Sequence, residues 1–315
     1  MEFTQTGGAP SRSPSWTAPF AATRPHFLGL ALVAALLGLA AAAHEGVSIT
    51  GWTALLSVIG ALLAHAGANA LNDYYDHLNG SDRDNPDRVP PFTGGSGTIQ
   101  AGQTTPALVA RTGWGLFGMA AVIGGVLLVE VGPGLLLFGL AGLLLGWLYS
   151  TPPLFLAGRG WGEITVGVAF GLLIPAGTAF VQTGSASGVA LAAGLPLAVL
   201  TAAILYINQF PDYAADHRTG KRNWVVRLGP RRAWPGYPLL AATAAVILAA
   251  GITAGPLPAA AWWGLLPMAL HTAAAGLLAH RYDQPPRLRP ALAATVAGTL
   301  LYAVVVAAAL VLTTV

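Results

Sequence analysis

The chain has 315 residues, of which 55% are hydrophobic and only 9% are charged, and it contains no cysteine. A soluble protein of this length needs far more charge to cover its surface, so the composition excludes a soluble globular protein. The formal net charge of +3 does not indicate nucleic-acid binding, because basic residues in a membrane protein set its orientation. The absence of cysteine excludes disulfides and thiolate metal sites.

The beginning of the chain differs in composition from the rest. Residues 1–24 are rich in Pro, Ser, Thr and Gly and show no hydrophobic period. Segments that bury little apolar surface do not fold by themselves. We therefore predict a flexible tail over residues 1–24 and a single membrane domain over residues 25–315.

Apolar stretches of about 20 residues, the length that crosses a bilayer, recur along nearly the whole chain. They predict an all-α polytopic membrane protein whose nine transmembrane helices surround a central cavity open to the cytoplasmic side. The predicted helices are residues 26–43, 52–72, 107–129, 133–150, 163–182, 189–209, 234–253, 259–280 and 290–313.

The basic residues predict which side of the membrane each loop faces. Fourteen of the 15 lysines and arginines fall in the N-terminal tail and in the second, fourth, sixth and eighth predicted loops, and the fifteenth, Arg111, lies at the start of the third predicted helix, beside the second loop. Loops rich in Lys and Arg stay in the cytoplasm. The predicted protein therefore lies in the lipid bilayer of the plasma membrane, with a cytoplasmic N-terminus and an external C-terminus.

Two acidic motifs follow apolar segments on the predicted cytoplasmic side. The first, "NDYYD", contains Asp73 and Asp76, and the second, "DYAAD", contains Asp212 and Asp216. The spacings of three and four residues place each pair on one face of a continued helix. A single pair at a helix end is more often a solvated loop, but two pairs in matching loops indicate a site.

The four aspartates indicate a metal-dependent diphosphate site. Two carboxylate pairs at one cavity repel each other unless cations neutralise them. Oxygen ligands suit Mg²⁺, which takes one or two carboxylates and completes its shell with substrate phosphates. We predict that Mg²⁺ is bound by the four aspartates, and that Asn72 and Asn208 supply carbonyl oxygens or orient the carboxylates.

Basic residues beside the second motif are candidate phosphate ligands. Lys221 and Arg222 follow Gly220 in a short turn suited to clamping phosphate oxygens. Arg88, and Arg24 with less support, would reach the same anion from other segments. Together with the four aspartates, Lys221 is a candidate catalytic residue, because it would stabilise the charge of a leaving diphosphate.

Tyr149 and His65 each allow two interpretations. Tyr149 lies beside Ser150 at a predicted cytoplasmic helix end, where it would either join the interfacial aromatic belt or shape a substrate pocket. His65 lies inside the second predicted helix. We interpret it as a hydrogen-bonded core residue, with a substrate contact as the alternative.

The motifs "NDYYD" and "DYAAD", the latter followed by "GKR", resemble the two aspartate-rich motifs of the UbiA superfamily of intramembrane prenyltransferases. The longer runs "NDYYDHLNGSD" and "YSTPPLFLAGRGWGE" are similar to the menaquinone branch of that family, the naphthoate prenyltransferases. The segments "PPFTGGSG" and "NQFPDY" depart from the pattern of that branch.

The resemblance implies a Mg²⁺-dependent enzyme that transfers a polyprenyl group from polyprenyl diphosphate to an aromatic acid. In the menaquinone branch the acceptor is 1,4-dihydroxy-2-naphthoate, which loses its carboxylate. An acceptor of the 4-hydroxybenzoate or homogentisate type is the alternative. A transporter is the other alternative class, although transporters place ionisable residues near the bilayer midplane rather than at helix ends.

Overall fold

A computed structural model of the chain describes residues 17–82 and 85–314, and within them the regular structure is entirely helical. The α-helices are α1 (Ala18–Ala22), α2 (Gly29–His44), α3 (Gly51–Asn79), α4 (Pro106–Val131), α5 (Leu135–Ser150), α6 (Gly162–Gly167), α7 (Ile174–Thr183), α8 (Gly188–Arg218), α9 (Trp224–Leu228), α10 (Pro230–Ala233), α11 (Gly236–Thr253), α12 (Leu265–Arg281) and α13 (Arg289–Leu312). A π-helical segment, Val168–Leu173, joins α6 to α7.

Seven helical segments among the described residues are long and apolar enough to cross a membrane. They are Gly51–Asn79, Pro106–Val131, Gly162–Thr183, Gly188–Arg218, Pro230–Thr253, Ala259–Arg281 and Pro285–Leu312. A helix pair bent by 49°, Ala18–Phe27 with Gly29–His44, adds an eighth if it forms one span. The fourth predicted span is the shorter apolar helix α5. The chain is thus a polytopic helical membrane protein, while the count of nine spans stays a prediction.

The described residues before the first predicted span include a short helix. Most of the predicted tail, residues 1–16, lies outside the described residues. The next residues form α1, which packs against α3 and α4. The Asn69 side chain donates a hydrogen bond to the carbonyl of Thr23 at 2.9 Å. This contact attaches the residues around Arg24 to the inner part of α3.

Small residues allow the central helices to approach closely. A Cβ atom on Gly194 of α8 would collide with the carbonyl of Gly171 in the π-helical segment, and one on Gly38 of α2 would collide with the carbonyl of Pro175. Close backbone contact of this kind is a main source of helix association in membranes, where hydrophobic burial contributes little. The contacts fix α8 at the centre of the bundle.

Helices α3 and α8 extend beyond their predicted ends. The sequence predicted ends at residues 72 and 209, whereas the helices continue to Asn79 and Arg218. Both aspartate motifs therefore lie on the last turns of long helices rather than in loops. Gly80, with a φ of 85°, ends α3. The two helices end on the same side of the molecule, which we call the aspartate end.

The segment between α3 and α4 folds back over the aspartate end. Val89 is buried in a cluster that includes Tyr206 and Phe210 of α8, and Phe92 packs against it. The glycines at positions 94, 95 and 97 all have positive φ values, which residues with a side chain rarely adopt. This covering loop, residues 85–105, therefore depends on glycine to turn back over α3 and α8.

The close approach at Gly194 gives a test of the packing. We expect Gly194→Val to lower stability by about 1–3 kcal/mol, because the new side chain must displace backbone rather than a flexible side chain. Gly115→Ala is the matched control, since nothing lies within 4 Å of its Cβ position. Thermal unfolding in detergent measures both, and equal midpoints for the two variants would contradict the packing.

Candidate active site

Lys221 joins the two aspartate motifs. Its Nζ lies 3.1 Å from Oδ1 of Asp76 on α3 and 3.3 Å from Oδ1 of Asp216 on α8. The backbone N–H of Lys221 also donates to the carbonyl of Asp216 at 3.0 Å, which holds the turn at Gly220 against the end of α8. The two motifs, far apart in sequence, therefore face each other at one place, with a single ammonium group between them.

Side-chain amides orient the same two carboxylates. Asn72 and Asn79 donate to Asp76 at 3.0 and 3.1 Å, and Asn223 donates to Asp216 at 2.8 Å. Asn223 also caps α9 by accepting the N–H of Val226. Each carboxylate is buried and has both an ionic and a neutral partner, so its orientation is fixed before any ligand binds.

Asp73 has a separate set of partners. The Arg24 guanidinium forms an ion pair with it and also donates to Oδ1 of Asn72 at 2.8 Å. The backbone N–H of Ser96 in the covering loop donates to Asp73 at 3.1 Å. A Cβ atom on Gly95 would collide with Asp82 and lie 3.2 Å from Oδ1 of Asp73. Only glycine allows the loop to lie this close to the two carboxylates.

Asp212 is held by the covering loop as well. Asn85 donates to its Oδ1 at 2.6 Å. Because Asn85 belongs to the segment after α3 and Asp212 to α8, this hydrogen bond fastens the loop across the aspartate end. All four predicted aspartates are thus held by hydrogen bonds or ion pairs that connect distant parts of the chain.

A polar cavity of about 120 Å³ lies between these groups. Its walls carry three of the predicted aspartates together with Asp82, four asparagines, Lys221 and Arg24. The polar lining residues are Arg24, Asn72, Asp76, Ser81, Asp82, Asn85, Thr93, Tyr149, Asn208, Gln209, Asp212, Asp216, Lys221 and Asn223. Such a lining binds a charged group with its counter-ions rather than an apolar molecule.

A larger apolar cavity of about 490 Å³ adjoins the polar one and runs among α3, α4, α5, α7 and α8. Seven residues line both cavities: Arg24, Phe27, Asn72, Phe92, Tyr149, Leu205 and Asn208. The two spaces therefore meet at a shared rim. A ligand with a charged head and a long apolar tail matches this arrangement.

The charges of the site shift the pKa values of groups beyond the helix ends. Burial alone would lower the pKa of Lys221, but Asp76, Asp216 and Asp82 outweigh it and raise the pKa above its ordinary value. Burial, reinforced by Asp76, raises the pKa of Asp82 to about 8, although Arg24 opposes the shift. Lys221 is therefore a permanent cation, and the site carries more carboxylates than cations.

The residues present fit a magnesium–diphosphate group better than a metal ion alone. Among the described residues, no three His, Asp or Glu side chains are close enough to hold a metal by themselves. Mg²⁺ typically takes only one or two carboxylates and leaves the remaining positions to phosphate and water. The Asn208 Oδ1 atom, buried and without a hydrogen-bond partner, is a further oxygen available at the rim.

The structure separates the other predicted ligands into two groups. Asn72, Tyr149 and Asn208 lie on the shared rim, as a role in substrate binding requires. Arg88 and Arg222 are exposed and do not line either cavity. Their predicted contact with the diphosphate stays a prediction, and it requires a movement of each side chain.

The positions of the two arginines have local causes. The Arg88 side chain lies against Gly94 and Gly97 of the covering loop, which it supports from outside. The backbone N–H of Arg222 donates to the carbonyl of Gly158 at 2.7 Å, and its own carbonyl accepts from Arg227. These contacts anchor the turn through its backbone, while the Arg222 side chain is exposed. Adjacent residues in a turn need not face the same ligand.

The sequence did not predict several residues that contact the aspartates. Asn85, Asn223, Gly95 and Ser96 contact the aspartates, and none was predicted to do so. The segment "PPFTGGSG" was a usable signal, because glycines around a serine are typical of loops that bring backbone N–H groups to an anion. Arg24, a secondary candidate in the sequence, is the ionic partner of Asp73.

Residues 31–297 match the UbiA prenyltransferase family. Relatives named 1,4-dihydroxy-2-naphthoate octaprenyltransferase are 29% identical over 92% of this chain and 93% of the Escherichia coli protein, and 30% identical over 86% and 88% for Haemophilus influenzae. The Mycobacterium tuberculosis protein of the same name is 30% identical over 71% of this chain and 74% of its own length.

Solved structures show the same fold. A UbiA homolog from Archaeoglobus fulgidus bound to DMAPP and Mg²⁺ aligns with a TM-score of 0.65 and 20% identity, over 92% of this chain and 99% of its own. The apo UbiA homolog from Aeropyrum pernix K1 aligns with a TM-score of 0.69 and 17% identity, over 91% and 98%. With two facing aspartate motifs above an apolar cavity and a family match over most of its length, the chain belongs to the UbiA prenyltransferase family.

Proposed function

We propose that the protein transfers a polyprenyl group from polyprenyl diphosphate to an aromatic acid, with 1,4-dihydroxy-2-naphthoate as the acceptor and menaquinone biosynthesis as the context. The observation that carries the proposal is the pair of adjoining cavities, one polar and lined by aspartates, the other apolar. The diphosphate would lie in the first and the hydrocarbon chain in the second. The naphthoate prenyltransferase relatives support the choice of acceptor.

The aspartates would serve as the metal ligands. In this proposal Asp73, Asp76, Asp212 and Asp216 would hold Mg²⁺, whose charge would stabilise the diphosphate as a leaving group. Lys221 would exchange its carboxylate contacts for phosphate oxygens, and Arg24 would do the same from the opposite side of the cavity. Both cations then stabilise charge that appears only as the bond breaks, which is where such contacts accelerate a reaction.

The chemistry consists of ionisation followed by attack. The bond between the allylic carbon and the diphosphate oxygen breaks, and its electron pair leaves with the diphosphate. An electron pair of the aromatic ring then forms the new carbon–carbon bond, and the ring regains aromaticity by losing carbon dioxide. The apolar lining beyond Asn72 and Tyr149 excludes water, which would otherwise react with the cation.

The orientation in the membrane is part of the proposal. Nine spans, with the eight long or bent segments joined by α5, would place the aspartate end in the cytoplasm and the C-terminus outside the plasma membrane. The one-sided distribution of lysine and arginine supports this orientation. The polar cavity would then take a water-soluble head group from the cytoplasm, while the chain and the product stay in the bilayer.

Removal of single carboxylates tests the metal site. We expect Asp76→Asn and Asp216→Asn each to lower kcat on the order of 100-fold, because a charge that stabilises the transition state is lost. Asp283→Asn is the matched control, since Asp283 is exposed and lies outside both cavities. Product formation is measured at saturating Mg²⁺, with thermal unfolding as the check of folding; full activity of both site variants would contradict the assignment.

Substitutions of Lys221 and Arg222 test the roles of these two neighbouring turn residues. Lys221→Met should lower kcat/KM for the prenyl diphosphate roughly 10- to 150-fold. This corresponds to a loss of about 1.5–3 kcal/mol of transition-state stabilisation, because a charge-assisted hydrogen bond to phosphate is lost. Arg222→Met should have a smaller effect, since its side chain lies outside the cavity. An Arg222 effect as large as that of Lys221 would show that the turn rearranges when diphosphate binds.

The acceptor is tested with a panel. Purified protein is incubated with Mg²⁺, one polyprenyl diphosphate and 1,4-dihydroxy-2-naphthoate, 4-hydroxybenzoate or homogentisate, and products are identified by mass. We expect a prenylated naphthoate product that lacks the carboxylate. If the product is prenylated hydroxybenzoate with its carboxylate retained, and no naphthoate product forms, the acceptor is hydroxybenzoate rather than the naphthoate. Solute uptake into liposomes without any prenylated product would place the protein among transporters.

A further inference from the structure

His65 is a polar residue in the wall of the apolar cavity. It lies on α3, two helical turns from Asn72 towards the inside of the membrane. Its Nδ1 atom is enclosed and has no hydrogen-bond partner. The structure therefore does not support our interpretation of His65 as a hydrogen-bonded core residue, and an unpaired buried nitrogen is costly unless a ligand or water completes it.

Three hydroxyl side chains of the same cavity have partners in their own helices. Ser57 donates to the carbonyl of Thr53 at 2.8 Å. Thr165 donates to Trp161 and Thr201 donates to Leu197, both at 2.8 Å. These hydroxyls are satisfied by the backbone and leave no group for a ligand. His65 differs from these hydroxyls because its Nδ1 has no hydrogen-bond partner, although the side chain lines the same cavity.

An aromatic contact restrains the imidazole. The ring of Phe170 lies edge-on to it, with ring centroids 4.6 Å apart. Phe170 belongs to the π-helical segment Val168–Leu173, which is locally widened relative to an α-helix. Such segments occur often at functional sites. The contact gives the imidazole a defined plane without using its hydrogen-bonding atoms.

The position of His65 selects between the two proposed substrates. A polyprenyl chain has no hydrogen-bonding group, so it cannot pair with Nδ1. At 1.5 Å per residue, His65 lies about 10 Å along α3 from Asn72, which leaves space for an aromatic ring between the imidazole and the diphosphate end of the cavity. The acceptor is the substrate that carries hydroxyl groups.

We propose that His65 binds the aromatic acceptor, with the imidazole accepting a hydrogen bond from a ring hydroxyl group. This inference rests on the proposed prenyl transfer and adds a residue that recognises the acceptor. The hydrogen bond orients the ring towards the allylic carbon, and it increases the electron density of the ring when the new bond forms. The chemical class it selects is an aromatic acid with a hydroxyl group on the ring.

The test compares three variants in acceptor kinetics. His65→Leu should raise the KM for 1,4-dihydroxy-2-naphthoate about 10-fold, the effect of a lost buried hydrogen bond, while the KM for the prenyl diphosphate stays unchanged. His65→Asn should restore part of the loss, because its side-chain oxygen can also accept. His280→Leu is the matched control: it is the same substitution at an exposed histidine outside both cavities, whose ring bonds to the carbonyl of Gly276, so both KM values should stay unchanged.

A competitor without hydroxyl groups distinguishes a hydrogen bond from simple packing. 2-Naphthoate should inhibit the wild type and His65→Leu with the same inhibition constant. The role of His65 would be overturned if His65→Leu changed the KM of the dihydroxynaphthoate and the inhibition constant of 2-naphthoate by the same factor. An unchanged KM for the dihydroxynaphthoate in His65→Leu would also overturn it. If His65→Leu unfolds, the same comparison is made with His65→Phe, which keeps an aromatic ring but has no hydrogen-bond acceptor, and an unchanged KM for the dihydroxynaphthoate in that variant overturns the proposal.

These outcomes are separate from those of the proposed function. If wild-type protein forms no prenylated product with any aromatic acid, prenyl transfer itself is wrong. If the wild type is active and the His65 variants bind the acceptor equally well, only the inference about His65 fails.

Discussion

The ion pairs between Lys221 and the carboxylates of Asp76 and Asp216 are the interaction on which the site depends. Buried carboxylates at the ends of apolar helices repel each other, and removal of one partner from a buried ion pair typically costs about 3–5 kcal/mol. The ammonium group therefore holds the ends of α3 and α8 together when no metal or diphosphate is bound. Because it is charged in the same sense as Mg²⁺, it leaves the carboxylates arranged for a cation.

The length of these two helices explains how charged groups coexist with so apolar a chain. At 1.5 Å per residue, the 29 residues of α3 and the 31 residues of α8 extend about 44 and 46 Å, whereas the hydrocarbon core of a bilayer is about 30 Å thick. Each helix therefore has an excess of about three turns. Those turns carry the aspartates and amides, and the covering loop closes over them.

The sequence was sufficient to predict the helical class, the two aspartate motifs and the family, since all three depend on local patterns. Asn72, Tyr149 and Asn208 were also found at the rim, because each lies at the polar end of an apolar run. The partners of the aspartates were harder to predict. Arg24 reaches Asp73 across 49 positions, and Asn85 reaches Asp212 across 127. Contacts of that separation are set by helix packing and by positive-φ glycines, neither of which a single sequence displays.

The same network has a consequence for the order of binding. Mg²⁺ alone would have to compete with Lys221 for Asp76 and Asp216, and diphosphate alone would meet the carboxylates without a metal ion to neutralise them. Together they offer the carboxylates a cation and offer Lys221 and Arg24 an anion, so every broken ion pair is replaced. Under the proposed function, joint binding would therefore be favoured over binding of either component, and the allylic bond would be exposed to ionising charge only when both are present. This coupling limits unproductive hydrolysis at a site that lies next to water.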